Sequence, residues 1–135
     1  MQSEDKKSVR LGKVSKSVEK ALGIPFTTGN SVYLLNEDAD ALAKKRPKHY
    51  LREIEEMSEI LKNPDWVTFV KEEGIFYVKE YIKDGRFRHV LLHLKQKGRP
   101  KKWSYYELIC PSEEVLRDID RKAAFKKPIL KENKA

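Results

Sequence analysis

Residues 75–82, IFYVKEYI, 87–95, FRHVLLHLK, and 103–110, WSYYELIC, are three strand-like segments separated by turn signals, and their alternation decides the fold. Successive side chains of a strand point to opposite faces, so positions two apart share a face. One face then collects Phe76, Val78 and Ile82, then Val90, Leu92 and Leu94, then Tyr106, Leu108 and Cys110, a set suited to a core. The other takes Tyr77, Lys79 and Tyr81, then His89 and His93, then Trp103, Tyr105 and Glu107, a set suited to gripping a phosphodiester and to acid/base chemistry on it. Register depends on the turn at Lys83-Asp84-Gly85. A three-residue loop with Gly85 left-handed pairs Lys79 with His89 and joins Val78 to Val90, and this reading is favoured. A two-residue Asp-Gly turn would shift the parity and set Glu80 opposite His89.

Working outward, Trp66 to Lys71 and a Glu72-Glu73-Gly74 turn precede these segments and complete an antiparallel meander. Before it, Pro47 suits the first turn of a helix in which Tyr50, Leu51, Ile54, Met57 and Leu61 form an apolar stripe, and Asn63-Pro64 ends it. Asn36, Asp38 and Asp40 offer caps to a shorter helix ending near Arg46, after a brief strand or extended connector at Ser31 to Leu35. Val9, Leu11, Val14, Val18 and Leu22 lie near helical spacing before Gly23 and Pro25. Downstream, Ser112-Glu113-Glu114 starts a last amphipathic helix with Val115, Leu116, Ile119 and Ala123 on its apolar side.

The expected fold is α+β, with N-terminal helices packed on one face of an antiparallel sheet of about four strands and a C-terminal helix. Residues 1–30 form a basic, partly helical N-terminal segment, 31–125 a single α+β domain, and 126–135 a basic mobile tail.

A chain of 135 residues supports one modest core. Its net charge of +8 favours a polyanionic partner, but it also carries 21 acids, so the excess matters only where it is localised. It is localised: Lys95 to Lys102 holds five basic residues and no acid. The lone Cys110 excludes an intramolecular disulfide and a Cys-rich zinc site. No apolar run approaches a membrane span, and Met1 to Lys7 is polar, so a cytoplasmic protein without membrane contact is expected.

Phosphate-binding glycine loops, His-Glu-x-x-His zinc motifs and nucleophile elbows are absent from the sequence. His89 and His93, four residues apart on a strand, lie about 13 Å apart, too far to share a metal. No metal site and no cofactor are expected. Metal-free RNA cleavage needs a base for the ribose 2′-hydroxyl, an acid for the leaving oxygen and cations for the phosphorane. His49 or His89 with Glu107 supplies the acid/base couple, His93 being the other histidine considered for it, and Lys79 and Arg46 the charge. Tyr77, Tyr81, Trp103 and Tyr105 are candidates for stacking bases, and Arg88, His93, Lys97, Arg99, Lys101 and Lys102 for holding the backbone. His49 follows Arg46-Pro47-Lys48 at a helix start, where amides, dipole and cations meet an anion together.

The order helix, Asn63-Pro64-Asp65, then a strand meander resembles the phage-associated branch of the barnase/EndoU/colicin/RelE nuclease superfamily. The resemblance runs roughly from Val32 to Val115 and is carried by Lys44-Lys45-Arg46-Pro47-Lys48-His49-Tyr50, the helix to Leu61, Asn63-Pro64-Asp65-Trp66-Val67, Tyr77-Val78-Lys79 and Trp103-Ser104-Tyr105-Tyr106-Glu107. It implies a metal-independent ribonuclease of mobile-element or toxin type, acting on RNA and accompanied in some settings by a neutralising protein partner. Arg46 occupies the place where such proteins tend to carry histidine, and arginine binds phosphate without exchanging a proton near neutral pH. A non-catalytic RNA- or DNA-binding module, or a phage-encoded inhibitor that binds a host protein, are the competing functions.

Overall fold

A computed structural model describes residues 8–27 and 29–127. The described residues form four helices and seven strands: β1 Val9–Lys13, α1 Lys16–Leu22, β2 Ser31–Leu34, α2 Asn36–Lys45, α3 Tyr50–Lys62, β3 Trp66–Val70, β4 Gly74–Lys83, β5 Arg86–Lys97, β6 Lys102–Ile109, α4 Glu113–Lys122 and β7 Phe125–Lys126. All seven strands join one sheet in the order β1-β2-β6-β5-β4-β3-β7. Every neighbouring pair is antiparallel except β2 with β6. The fold is α+β, with more strands than the expected four. None of its helices, among the described residues, is long and apolar enough to cross a membrane.

The additional strands come from both ends of the described chain. Val9 and Leu11, expected within a helical pattern, lie on β1, and Leu11 is buried. The β1–β2 register shifts at Leu11, and Ser58 Oγ of α3 donates to its carbonyl at 2.7 Å. The helix begins later, where Ser15 accepts from the Val18 amide, and Gly23 closes it in the left-handed conformation. Leu11, Val14 and Val18 thus belong to the same core as residues 31–125. Phe125 and Lys126 pair with Val67 and Trp66, so the expected tail starts inside the sheet; its residues from 128 onward lie outside the described residues.

The β4–β5 turn has two residues, with Lys83 opposite Arg86. Asp84 and Gly85 take φ values of 53° and 74°, the backbone of the tight hairpin turn whose twist matches paired strands. The favoured three-residue loop is thereby corrected, and the faces exchange members. Ile75, Tyr77, Lys79 and Tyr81 share a face with Val90, Leu92 and Leu94, against α1 and α3. Phe76, Val78 and Glu80 share the other with His89, Leu91 and His93. In β6 a further shift leaves Tyr106 as an extra residue, so that Leu94 meets Tyr105 while His93 meets Glu107. Tyr105 and Leu108 therefore join the helix-covered face.

The second face is not open either. Ile119 of α4 packs on Val78 and Leu91, with Trp66, Phe76 and Leu116 around them. The α4 start is as expected: Ser112 accepts from the Val115 amide, and Glu113 and Glu114 lie at the positive end of the dipole. Thr68 Oγ1 donates to the Lys122 carbonyl at the other end.

Candidate functional site

The flip of parity distributes the candidate residues over two faces. On the helix-covered face, Tyr77 is fully buried and Trp103 is 5% exposed, packed against Phe26. Neither ring is accessible to a base, because both complete the core. Lys79 extends its Nζ to the Asn63 carbonyl at 2.6 Å and caps the C-terminal end of α3. Tyr81 and Tyr105 are half-buried on this face too. Burial, and the charge and hydrogen bond of Glu56, push the Tyr81 hydroxyl up to about 12. Burial, with Asp38 and Glu53 nearby, raises that of Tyr105.

Arg46 and His49 stand on the α2–α3 connection above this face, remote from the histidines of β5. Arg46 pairs with Glu53 at 3.0 Å. His49 is exposed at the start of α3 and makes no side-chain cap. The combination of His49, Lys79 and Arg46 with Glu107 is therefore not assembled, since Glu107 projects from the opposite face.

The opposite face brings together a different set. His93, only 6% exposed, is held at one ring nitrogen: Nε2 donates to the Glu73 carbonyl at 2.6 Å, while Nδ1 faces Glu107 Oε2 at 3.8 Å, beyond hydrogen-bond distance. Phe76 stacks on the ring at 4.0 Å between centroids, and Tyr106 meets it edge-on at 4.9 Å. Lys95, two residues along β5, places its Nζ 4.1 Å from the Tyr106 ring centre, and Lys97 follows at 5.7 Å. A groove of about 820 Å³ opens between Glu73, Phe76, His93 and Glu107 on one side and α4 on the other, with Arg117, Arg121 and Lys122 in its wall. Those cations are balanced by Glu113 and Asp118 on the same helix.

His89 lies further along the same face and is committed elsewhere. Its Nε2 is 3.0 Å from Glu80 Oε2, and its ring stacks on Trp66. Glu107 thus has His93, not His89 or His49, as its partner.

The most basic exposed run is Lys44, Lys45, Arg46 and Lys48 at the end of α2 and the α2–α3 connection, and the β5–β6 loop is a second, smaller one. Arg99 and Lys101 are exposed, as is Arg88 at the far end of β5. Lys97 pairs with Asp38 at 2.8 Å and Lys102 lies over Tyr33. Among the described residues, no three His, Cys, Asp or Glu side chains converge as metal ligands.

Glu73, Phe76, Tyr106 and the α4 cations escaped the sequence reading. Phe76 and Tyr106 were assigned to the core by the favoured parity, and the two-residue turn brings Phe76 beside His93. The contribution of Glu73 is a backbone carbonyl, which carries no side-chain signal. No family model matches the chain, and no curated protein or solved structure matches it.

Proposed function

We propose that this chain is a small metal-independent ribonuclease, of the mobile-element or toxin kind the resemblance implies, with Glu107 as its general base and His93 beside it. The observation that carries the reading is the position of His93. Its Nε2–H is committed to Glu73, so Nδ1 is the nitrogen that faces Glu107, 3.8 Å away. The half-exposed Glu107 carboxylate removes the proton from the ribose 2′-hydroxyl, with the His93 imidazole beside it. The 2′-oxygen then bonds to phosphorus as the bond to the 5′-oxygen breaks. Lys95 and the α4 cations offset the charge of the phosphorane, and solvent returns a proton to the leaving oxygen. The products are a 2′,3′-cyclic phosphate and a 5′-hydroxyl.

The test is incubation of end-labelled single-stranded RNA with the protein in EDTA, beside His93→Gln and Glu107→Gln. Cleavage by the parent to a cyclic phosphate, lost in both variants, supports the reading. RNA shifted in a gel but left intact supports a second one, a binding module without catalysis. That alternative is favoured by Arg99 and Lys101, which are exposed outside the groove where a phosphate backbone can reach them.

A further inference from the structure

We infer that a second cavity, beneath the β3–β4 turn, is a nucleotide subsite that takes one unpaired base of the RNA and places its phosphate on Lys71 and Lys101. The inference rests on the proposed function for its ligand. The cavity is an open cleft of about 530 Å³, within the range of about 300–1,000 Å³ usual for small-molecule sites. Its apolar wall comes from Ile24, Pro25 and Phe69, with the small exposed part of Trp103. Ile24 and Phe69 are half-buried and already held by the core, so the wall is preformed.

The charges at the rim select the class of ligand. Lys71 and Lys101 are exposed there, but so are Glu72 and Glu73. A plain anion gains from the lysines and is repelled by the carboxylates. A nucleotide satisfies both, because its ring N–H groups donate to a carboxylate while its phosphate meets the lysines. The apolar wall gives the base a surface to lie on.

Its position ties this cavity to the His93 groove. Glu73 borders both, and its carbonyl is the group that fixes His93 Nε2. Lys95 also borders the cavity and reaches with Nζ over Tyr106, which touches His93. The two sites lie on opposite faces of the sheet and meet at the β3–β4 turn, so a strand cleaved at Glu107 reaches the pocket with a neighbouring nucleotide by passing around Glu73. The turn between the two sites is strained: Glu72 adopts φ 73°, a conformation that side chains other than glycine disfavour and that gathers at functional sites.

The experiment is titration of the intact chain with each of the four 5′-mononucleotides and with inorganic phosphate, followed by amide NMR shifts. The comparison variants are Lys71→Glu/Lys101→Glu and Glu107→Gln. We expect at least one mononucleotide to bind more tightly than phosphate, with the double charge reversal weakening it tenfold or more and Glu107→Gln leaving it unchanged. No binding at millimolar nucleotide, binding equal to that of phosphate, or binding indifferent to the charge reversal overturns the subsite. RNA cleavage is scored on the same samples. Nucleotide binding without cleavage retains the subsite and removes the ribonuclease reading, and cleavage without nucleotide binding does the reverse.

Discussion

Glu80 lies directly across the β4–β5 ladder from His89, with Oε2 3.0 Å from Nε2. The pairing exists only because Asp84 and Gly85 form a two-residue turn, and a longer loop would give His89 a different neighbour. The Trp66 ring, stacked 5.6 Å from that of His89, shields one side of the pair from water. A double-mutant cycle with Glu80→Gln and His89→Gln at neutral pH should show a coupling of roughly 0.2–1 kcal/mol, the usual worth of a cross-strand polar pair. Chemical denaturation of the four proteins measures it, and zero coupling would contradict the register.

Lys79 separates a structural from a catalytic role. Its ammonium meets the carbonyl that ends α3, on the face away from His93. Lys79→Met should cost about 0.5–1.5 kcal/mol, as expected for a lost charge-assisted bond at a helix end. RNA cleavage by the folded variant should match the parent, and a large fall in rate would restore Lys79 to the active site.

The Tyr77 hydroxyl is buried and finds no hydrogen-bond partner among the described residues. Burial, with Glu19 nearby, raises its pKa and keeps it neutral. Such a group carries a desolvation cost with no compensating bond. Tyr77→Phe should therefore raise stability by roughly 1 kcal/mol, read as a higher denaturation midpoint at unchanged slope.

Gly74 is required by a close approach. A Cβ built there would meet the Leu94 carbonyl oxygen at 2.1 Å, and φ is 116°. Gly74→Ala should cost on the order of 3 kcal/mol, since strain and clash combine. It should also move Glu73 away from His93, visible as a changed His93 ring resonance in a variant that still folds.

Alkaline pH should act through Tyr81. Its folded pKa of about 12 exceeds the ordinary 10.0, with burial the main cause and Glu56 the next. The folded state thus holds the proton more tightly, and this contribution to stability is complete below pH 10. It is lost as pH rises from 10 towards 12. Denaturation midpoints across that window should fall less steeply in Tyr81→Phe than in the parent.

The central and last helices and the Ser112 cap were legible because their signals are local, whereas α2 follows Leu35 without the expected side-chain cap and α3 starts three residues after Pro47. The Tyr50–Leu61 stripe and Ser112 each announce an element within one or two turns of chain. The α4 helix was legible but its docking face was not. Val90 to Leu94 hold the reason: all five are buried, His93 included, because the strand is covered on both sides. A strand buried on both faces shows no clean alternation, so the aliphatic residues could not arbitrate between the two turn lengths. The extra residue at Tyr106 then separated Tyr105 from Glu107 without any glycine to mark it. Of the candidate site, His93 and Glu107 were both identified, and His93 was one of three histidines considered as the partner of Glu107. Their partnership depends on pairing across β5 and β6, which local sequence does not encode.

The sheet takes its two outermost strands, β1 and β7, from opposite ends of the described chain. Each acts as a guard on a ladder that would otherwise be open. Stripping residues 8–13 would leave β2 with unsatisfied amides and carbonyls along one side, and stripping 125–127 would do the same to β3, whose Val67 and Phe69 are apolar. Open ladders of this kind template the addition of foreign strands. Trimming the chain from either direction should thus produce self-association before it produces unfolding.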